Sequence, residues 1–385
     1  MAFSGKATFG AGADLPELME DVADLVSVVS PYETPLLAHL GDARRAAMST
    51  VHEWMEDTLL PNNDTVNQGT FTPNAQDATS ITVNNGVRFQ VGDMLRPGNA
   101  TEVIQVTAVV GNVLTVVRRY GNTPASALSN GLRLTIISNA ALEGAEAPAS
   151  RFTNRTRKQN FTQIFTATVD VSGTMRAVRQ HGVDDELEYQ KQERLREMLR
   201  DLENAVINGA SGATNPQGNA STRRSMNGIV RQIATNTFTP GVNGFPAGTD
   251  LTEPMVNAAL RSIWEQSSGR VDTIVVNGNQ KRRINQFIPT SARHFGGSER
   301  SLSEMVGVYE SDFGVCRVVL SRWVPGDSVL LLDSSRIEVL PLVGRGFHYK
   351  PLATVGDNTP GQLLGEYTLE FRNENAHGVV RGLAL

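Results

Sequence analysis

Residues His52–Leu60 read HEWMEDTLL. A His followed at once by a Glu begins the helical zinc-protease pattern. That pattern needs a second His four residues after the first. One helical turn then brings both imidazoles to the same face, with the Glu beside the metal-bound water. Position 56 is Glu56, so the second imidazole is missing. His52, Glu56 and Asp57 remain as a conceivable donor set, since all three residue types bind zinc. The competing reading is an acidic strand or turn anchored by Trp54, and the loose match to the motif favours it.

No other chemistry assembles along the chain. The six histidines are His39, His52, His181, His294, His348 and His377, and no two fall within five residues of each other. Local metal-ligand spacing is therefore absent. There is no Walker-type phosphate loop, no GxGxxG after a strand and no GxSxG elbow. VSGT at 171–174 holds a serine but lacks the strained turn and following helix that would expose it. Asp184, Asp185 and Glu186 are explained by the start of a helix, where the dipole favours anions. Asp312 and Asp333 read as turn residues beside strands. The sequence predicts no catalytic, cofactor-binding or metal-binding residue and no cofactor, although catalytic groups can also converge only in the fold.

Composition narrows the class. The chain has 385 residues, 40% hydrophobic and 19% charged, enough for a globular core. Aromatics are 6% and glycines number 35, which suits strands and loops more than a helical bundle. The formal net charge of -5 argues against a free nucleic-acid binder, which needs a basic surface. The one cysteine, Cys316, lies in the apolar run VCRVVL and reads as a small buried hydrophobe. No internal disulfide is possible, consistent with a reducing cytoplasm. MAFSGKATFG has no apolar h-region, and no stretch is long and apolar enough to span a bilayer. A soluble protein made in the cytoplasm is expected.

The elements that would position these residues follow from periodicity. Leu15, Leu18, Val22 and Leu25 recur at helical steps. Ser30-Pro31 and Thr34-Pro35 interrupt that pattern, and a short helix over Leu36–Leu40 closes at Gly41. Residues 70–145 alternate Asn, Gly, Thr and Val and predict a compact all-β module of four to six short strands. Gly111-Asn112 forms a two-residue hairpin loop within it. The flanks NNDTVNQG and EGAEAP read as linkers, so the module is an insertion into a larger framework. In QIFTATVDVSGTMRAV, Phe165, Ala167 and Val169 alternate with Ile164, Thr166 and Thr168, as in a strand. The preceding segment carries Arg151, Arg155, Arg157 and Lys158. No aromatic stacking platform accompanies these charges, so a strand edge facing a neighbouring subunit is favoured over a nucleic-acid patch.

Residues 184–208 are the clearest helix, with Asp184 as N-cap and Asn208-Gly209 as stop signal. Leu195, Met198, Leu199, Leu202, Ala205 and Val206 form its apolar stripe. A length of about 35 Å makes it a candidate spine. A Gly/Ser/Asn-rich loop follows. A second amphipathic helix then begins at Thr252-Glu253-Pro254, with Val256, Leu260, Ile263 and Trp264 apolar. VDTIVVNG is a buried strand, NQKRRINQF a third helix, and the remainder mainly strands.

Seven segments together resemble a known family. They are DLVSVVSPYETPLLAHLG, HEWMEDTL, NRTRKQNFTQIFTATVDVSGTMRAV, DELEYQKQERLREMLRDLENAVING, DTIVVNGNQKRRINQF, VYESDFGVCRVVLSRWVP and EYTLEFRNENAHGVV. Their order and spacing are similar to the major capsid proteins of tailed bacteriophages, in the group related to the SU10 major capsid protein. They cover most of the chain outside 61–150, and the β-rich insertion is the departure from the family pattern. The resemblance implies an α+β, HK97-like capsid fold with a small all-β insertion. Residues 1–50 would be the N-terminal arm, and 51–165 the extended E-loop β-hairpin carrying the inserted domain (about 70–145). Residues 166–224 would be the peripheral domain, with spine helix 184–208. Residues 225–340 would be the axial domain, and 341–385 strands returning to the peripheral domain.

The resemblance also implies a function, that of a structural shell protein and not an enzyme. The chain would self-assemble through hexamers and pentamers into an icosahedral head shell around double-stranded DNA, without sequence-specific binding and with no membrane involved. Portal, and scaffold or decoration proteins, would be partners. Assembly would take place in the host cytoplasm, with the mature protein in the virion. Trp54, Arg151, Arg155, Arg157 and Lys158 are the subunit-interface candidates. Lys158 and Asn160 lie in the loop region where the HK97 phage forms a Lys–Asn isopeptide bond, but nothing assigns them that role. Three alternatives remain: an encapsulin-like compartment shell, a carbohydrate-binding structural protein acting through the 70–145 module, and a metal-dependent enzyme centred on His52, Glu56 and Asp57.

Overall fold

The computed structural model describes residues 34–385 except 44, 58, 145–152, 154, 179–184, 268, 288–306 and 355. The predicted helical pattern at 15–25, as well as Asp184 and Arg151, lies outside the described residues. The chain divides into two compact units, Met1–Trp54 with Arg157–Leu385, and Met55–Thr156. Each has its own core.

The larger unit contains two sheets. In the first, the fourteen-residue strand Asn358–Phe371 is central. It pairs antiparallel with Gln163–Ser172, Ile337–Pro341 and His348–Pro351. Phe165, Val169 and Val171 are buried while Ile164, Thr166 and Thr168 are not, which is the predicted alternation. Their apolar face packs against the long helix Glu186–Asn208. The N-cap is Asp185, whose carboxylate accepts from Leu187 N–H at 2.9 Å. The cap thus falls one residue later than expected. Glu186 and Glu188 occupy the first turn, where they complement the dipole. Met198, Leu202, Val206 and Ile207 are buried. Leu195 and Leu199 are only half-buried. Ser172 does precede a helix, Gly173–Ala177, contrary to expectation, and its hydroxyl is spent capping Met175 N–H.

The second sheet has six strands. Their order is Thr237–Phe238, Gly378–Val380, Val329–Leu332, Thr273–Val276, Gly314–Leu320, Val308–Ser311. Thr273–Val276 is buried throughout, with a parallel neighbour on one side and an antiparallel one on the other. Period-two geometry splits the side chains between two cores. Val275, Val319, Leu330 and Leu332 join the core of the long helix. Ile274, Val276, Cys316, Val318, Val329 and Leu331 join a second core with helix Glu253–Gln266. Burial pushes the Cys316 thiol up to about 11, so it is inert, as its apolar surroundings predicted. Trp264, expected on the buried stripe, is 63% exposed and leans on Phe313. It sits one position round from Ile263, at the limit of the covered face. The last strand, Gly378–Val380, lies in this sheet and not with the first. Residues 341–385 therefore do not return as one block, because Arg372–His377 carries the chain across.

The smaller unit is an antiparallel six-stranded sheet. Its order is Asn63–Thr65, Arg133–Asn139, Asp93–Pro97, Ile104–Val110, Val113–Val117, Ser80–Thr82. A bridge between Val66 and Val83 joins the outermost strands and closes the sheet into a barrel. Closure removes the free edges that would otherwise recruit another chain. Ile81, Leu95, Ile104, Leu114 and Leu134 fill the interior. Gly111 takes φ +59 in the predicted two-residue hairpin. Gly86 lies flat against it, where a Cβ would meet Gly111 O at 1.9 Å. The module begins earlier than residue 70. NNDTVNQG, read as a linker, contributes Asn63–Thr65, because Asp64 is buried against Arg88 and Asn85 N–H and so hides its strand behind a polar sequence.

Candidate assembly surfaces and the polar anchor of the loop

Two antiparallel strands, Val51–Glu56 and Thr156–Phe161, pair with each other and lead into and out of the barrel. A two-stranded ribbon has little stability alone, so its root needs an anchor. The central strand Asn358–Phe371 supplies it. Period two places Glu366, Thr368 and Glu370 on one face, all buried. Glu370 accepts from His52 Nε2 at 2.6 Å and from Arg45 Nη2 at 2.6 Å. Arg45 also reaches Glu338 at 2.9 Å, and Arg372 pairs with the same Glu338 at 3.1 Å. Thr368 Oγ1 donates to Phe161 O at 3.1 Å. Glu366 accepts from Thr162 Oγ1 and Arg224, each at 2.6 Å, and pairs with Arg345 at 2.8 Å. Burial pushes the Glu370 carboxyl up, but His52 and Arg45 outweigh it and hold the group below its ordinary range.

A third buried glutamate, Glu203 on the long helix, faces the start of the short helix Pro35–Leu40. Its oxygens accept from Leu36 N–H at 3.4 Å, Leu37 N–H at 3.2 Å and Ser321 Oγ at 3.1 Å. The carboxylate satisfies orphan amides at a helix start and complements its dipole. The sequence reading missed Glu203, Glu366 and Glu370. Glu203 carried a readable signal, since it is one residue from Leu202 on a stripe that otherwise keeps carboxylates outside.

His52 therefore lies on a strand, not a helix, and its imidazole is committed to Glu370. Asp57 accepts from Thr153 Oγ1 at 3.1 Å, and Glu53 faces Arg157 at 3.5 Å. Among the described residues no three His, Cys, Asp or Glu side chains are grouped to hold a metal. Of the interface candidates, Trp54 is 8% exposed and packs within its own chain, its ring 5.9 Å from His52. Arg155, Arg157 and Lys158 are exposed. The Arg157–Glu53 pair is solvated on both sides and is worth ~0–1 kcal/mol. Asn160 is buried, its amide donating to Leu369 O at 2.8 Å and Asn227 O at 3.0 Å.

This architecture, a helix-backed antiparallel sheet, a second mixed sheet and an extended two-stranded ribbon, is that of HK97-like capsid subunits. The subunit in the capsid of a native GTA particle superposes with a TM-score of 0.55 at 10% identity, covering 99% of this chain and 100% of that one. Gordonia phage Cozz gives 0.54 at 10% identity, covering 100% and 99%. Cyanophage A-1(L) gives 0.52 at 12%, covering 97% and 99%. Such low identities establish the fold. Comparison with curated proteins gives no match. The SU10 major capsid protein family matches residues 3–384, and the chain belongs to that family. It is a structural protein of the virion, the self-assembling subunit of an icosahedral capsid.

Proposed function

We propose that the shell built from this chain encloses the double-stranded DNA of a tailed bacteriophage. The observation that carries this reading is the family match over nearly the whole length, 3–384, supported by likeness to phage subunits from end to end. The domain roles follow the HK97 plan. Residues 1–50 act as the arm, and 51–165 as the E-loop with its inserted barrel. Residues 166–224 form the peripheral domain, and 225–340 the axial domain at the capsomer centre. The strands of 341–385 are divided between the two. Subunits assemble as hexamers and pentamers in the host cytoplasm, with a portal and with scaffold or decoration proteins as partners. Arg155, Arg157 and Lys158 meet a neighbouring subunit. A heterologous contact repeated around a ring closes only at fixed subunit number, which suits capsomers.

Electron microscopy of the purified chain, alone and co-expressed with candidate scaffold proteins, tests the assembly. Closed shells or rings of five and six are expected. A monodisperse monomer under every condition would refute self-assembly. Nuclease-resistant DNA in particles from infected cells tests the cargo, and shells filled with a protein instead would refute it.

A further inference from the structure

Two strand-to-strand crossings join the sheets of the larger unit. One runs through Asp333–Arg336 and the other through Arg372–His377. A third segment, Ile233–Asn236, leads into the edge strand Thr237–Phe238. His377 touches all three. Its Nδ1 accepts from Asp333 N–H at 3.1 Å, and its Nε2 lies 3.2 Å from Arg372 O. Its own carbonyl accepts from Asn236 Nδ2 at 2.9 Å. The imidazole is fully buried and stacks on Phe371 with ring centroids 4.1 Å apart. An amide N–H only donates and a carbonyl only accepts. The ring is therefore neutral, with its proton on Nε2.

We propose that His377 is a proton-operated lock between the two sheets. Neutral, it ties the two crossings together. Protonated, it presents N–H at Nδ1 to another N–H and loses the Asp333 bond. That loosens the crossings and leaves them joined through Arg372, whose N–H donates to Arg336 O and Nη2 to Ser335 O, each at 3.0 Å. The atoms balance with one proton taken up at Nδ1 and one hydrogen bond lost.

The surroundings set when this happens. Burial holds the imidazole down to about 4, and Arg336 adds to that, while the Arg372 carbonyl, Asp333 and Asp272 oppose it. Asp333, Glu370 and Glu374 stay ionised further into acid than ordinary carboxylates. Burial pushes each up, but their hydrogen bonds more than offset it. The folded value lies below the ordinary 6.5 of histidine, so the unfolded state binds more protons between the two. The lock is at full strength above pH 6.5, weakens as pH falls, and is spent once pH passes about 4. His39 is the competing group, lowered by burial and Arg317 against Asp272, with its Nε2 at 2.7 Å from Thr273 Oγ1.

Hydrogen exchange on the full-length protein, corrected for the intrinsic pH dependence of exchange, tests the lock. Peptides covering 333–336 and 372–377 are expected to lose protection between pH 6.5 and 4 in the wild type and in His39→Gln. In His377→Gln they are expected to be poorly protected already at the upper pH and to change no further. A flat wild-type profile, or a His377→Gln profile that falls like the wild type, would overturn the proposal. If His377→Gln fails to fold, cryo-EM of the wild type at neutral pH and well below pH 4 decides. An intact Asp333–His377 contact in acid refutes the lock, and a parted one supports it.

Discussion

Glu203 shows what one buried carboxylate does in this subunit. Three donors converge on it from two distant parts of the chain, and no solvent reaches it. Glu203→Ala is expected to cost about 3 kcal/mol, since it strands buried amides and a hydroxyl. Urea unfolding of the subunit measures this, and Glu203→Gln should cost less. Glu102 has the same character in the barrel. It is fully buried and accepts from Arg118 Nε and Nη2 at 2.8 Å, Ser126 N–H at 2.8 Å and Ser126 Oγ at 2.7 Å. Glu102→Gln leaves the nearly buried Arg118 charge unmatched, at a cost of about 3–5 kcal/mol. Burial pushes the Glu102 carboxyl up, but Arg118 and Ser126 hold it below its ordinary 4.5. A depressed folded value means the stabilisation is present above the ordinary value and is lost as pH falls through the depressed one. Thermal melts of the barrel between neutral and strongly acid pH should show that loss in the wild type. The acid-dependent part should shrink in Glu102→Gln.

At the scale of elements, the barrel and the ribbon have separate supports. The barrel closes on itself through Val66 and Val83 around its own core, whereas the ribbon root is held by Glu366, Thr368 and Glu370. Residues 55–156 expressed alone should therefore melt cooperatively. Replacing 58–154 with a short Gly-containing turn should leave the melting of the remainder nearly unchanged. Calorimetry checks both, and a non-cooperative isolated segment would show that its core is incomplete. The strand Thr156–Phe161 has the opposite character, with four exposed residues before its two buried ones. Reversing Arg155, Arg157 and Lys158 to Glu should change monomer stability by less than about 1 kcal/mol, because exposed charges contribute little. The same change should sharply reduce the yield of closed shells in a sedimentation assay.

For the molecule as a whole, charge is unevenly placed. Residues 1–33 hold Lys6 against Asp14, Glu17, Glu20, Asp21, Asp24 and Glu33, which accounts for the entire net charge. The remaining 352 residues carry 34 basic and 34 acidic side chains. A balanced body would exert little net force on phosphate, which is compatible with the proposed DNA cargo being held without a gripping surface. Some of those balanced charges are buried. Arg118–Glu102, Arg224–Glu366 and Arg45–Glu370 each put a carboxylate at 3% exposure or less. Composition counts such residues as surface charge, while the fold uses them as internal ties.

Local chemistry was enough to determine many of the elements, though not the strand Asn63–Thr65 or the short helix Gly173–Ala177. The stop at Gly41, the hairpin at Gly111-Asn112, the alternation of Phe165, Ala167 and Val169 and the long helix ending at Asn208 all follow from caps, turn residues and periodicity. Such signals are carried by a few neighbouring residues, so one sequence suffices to read them. Only the tertiary structure decided what pairs across the chain. The ties between Glu203 and Leu36, between Glu370 and His52, and between His377 and Asp333 span 167, 318 and 44 residues. Closure of the barrel joins Val66 to Val83, at the ends of two successive strands, and it holds only because the four later strands fill the sheet between them. A buried charge and an exposed one have the same letter in the sequence. Which it becomes depends on a partner that only folding brings within hydrogen-bond distance.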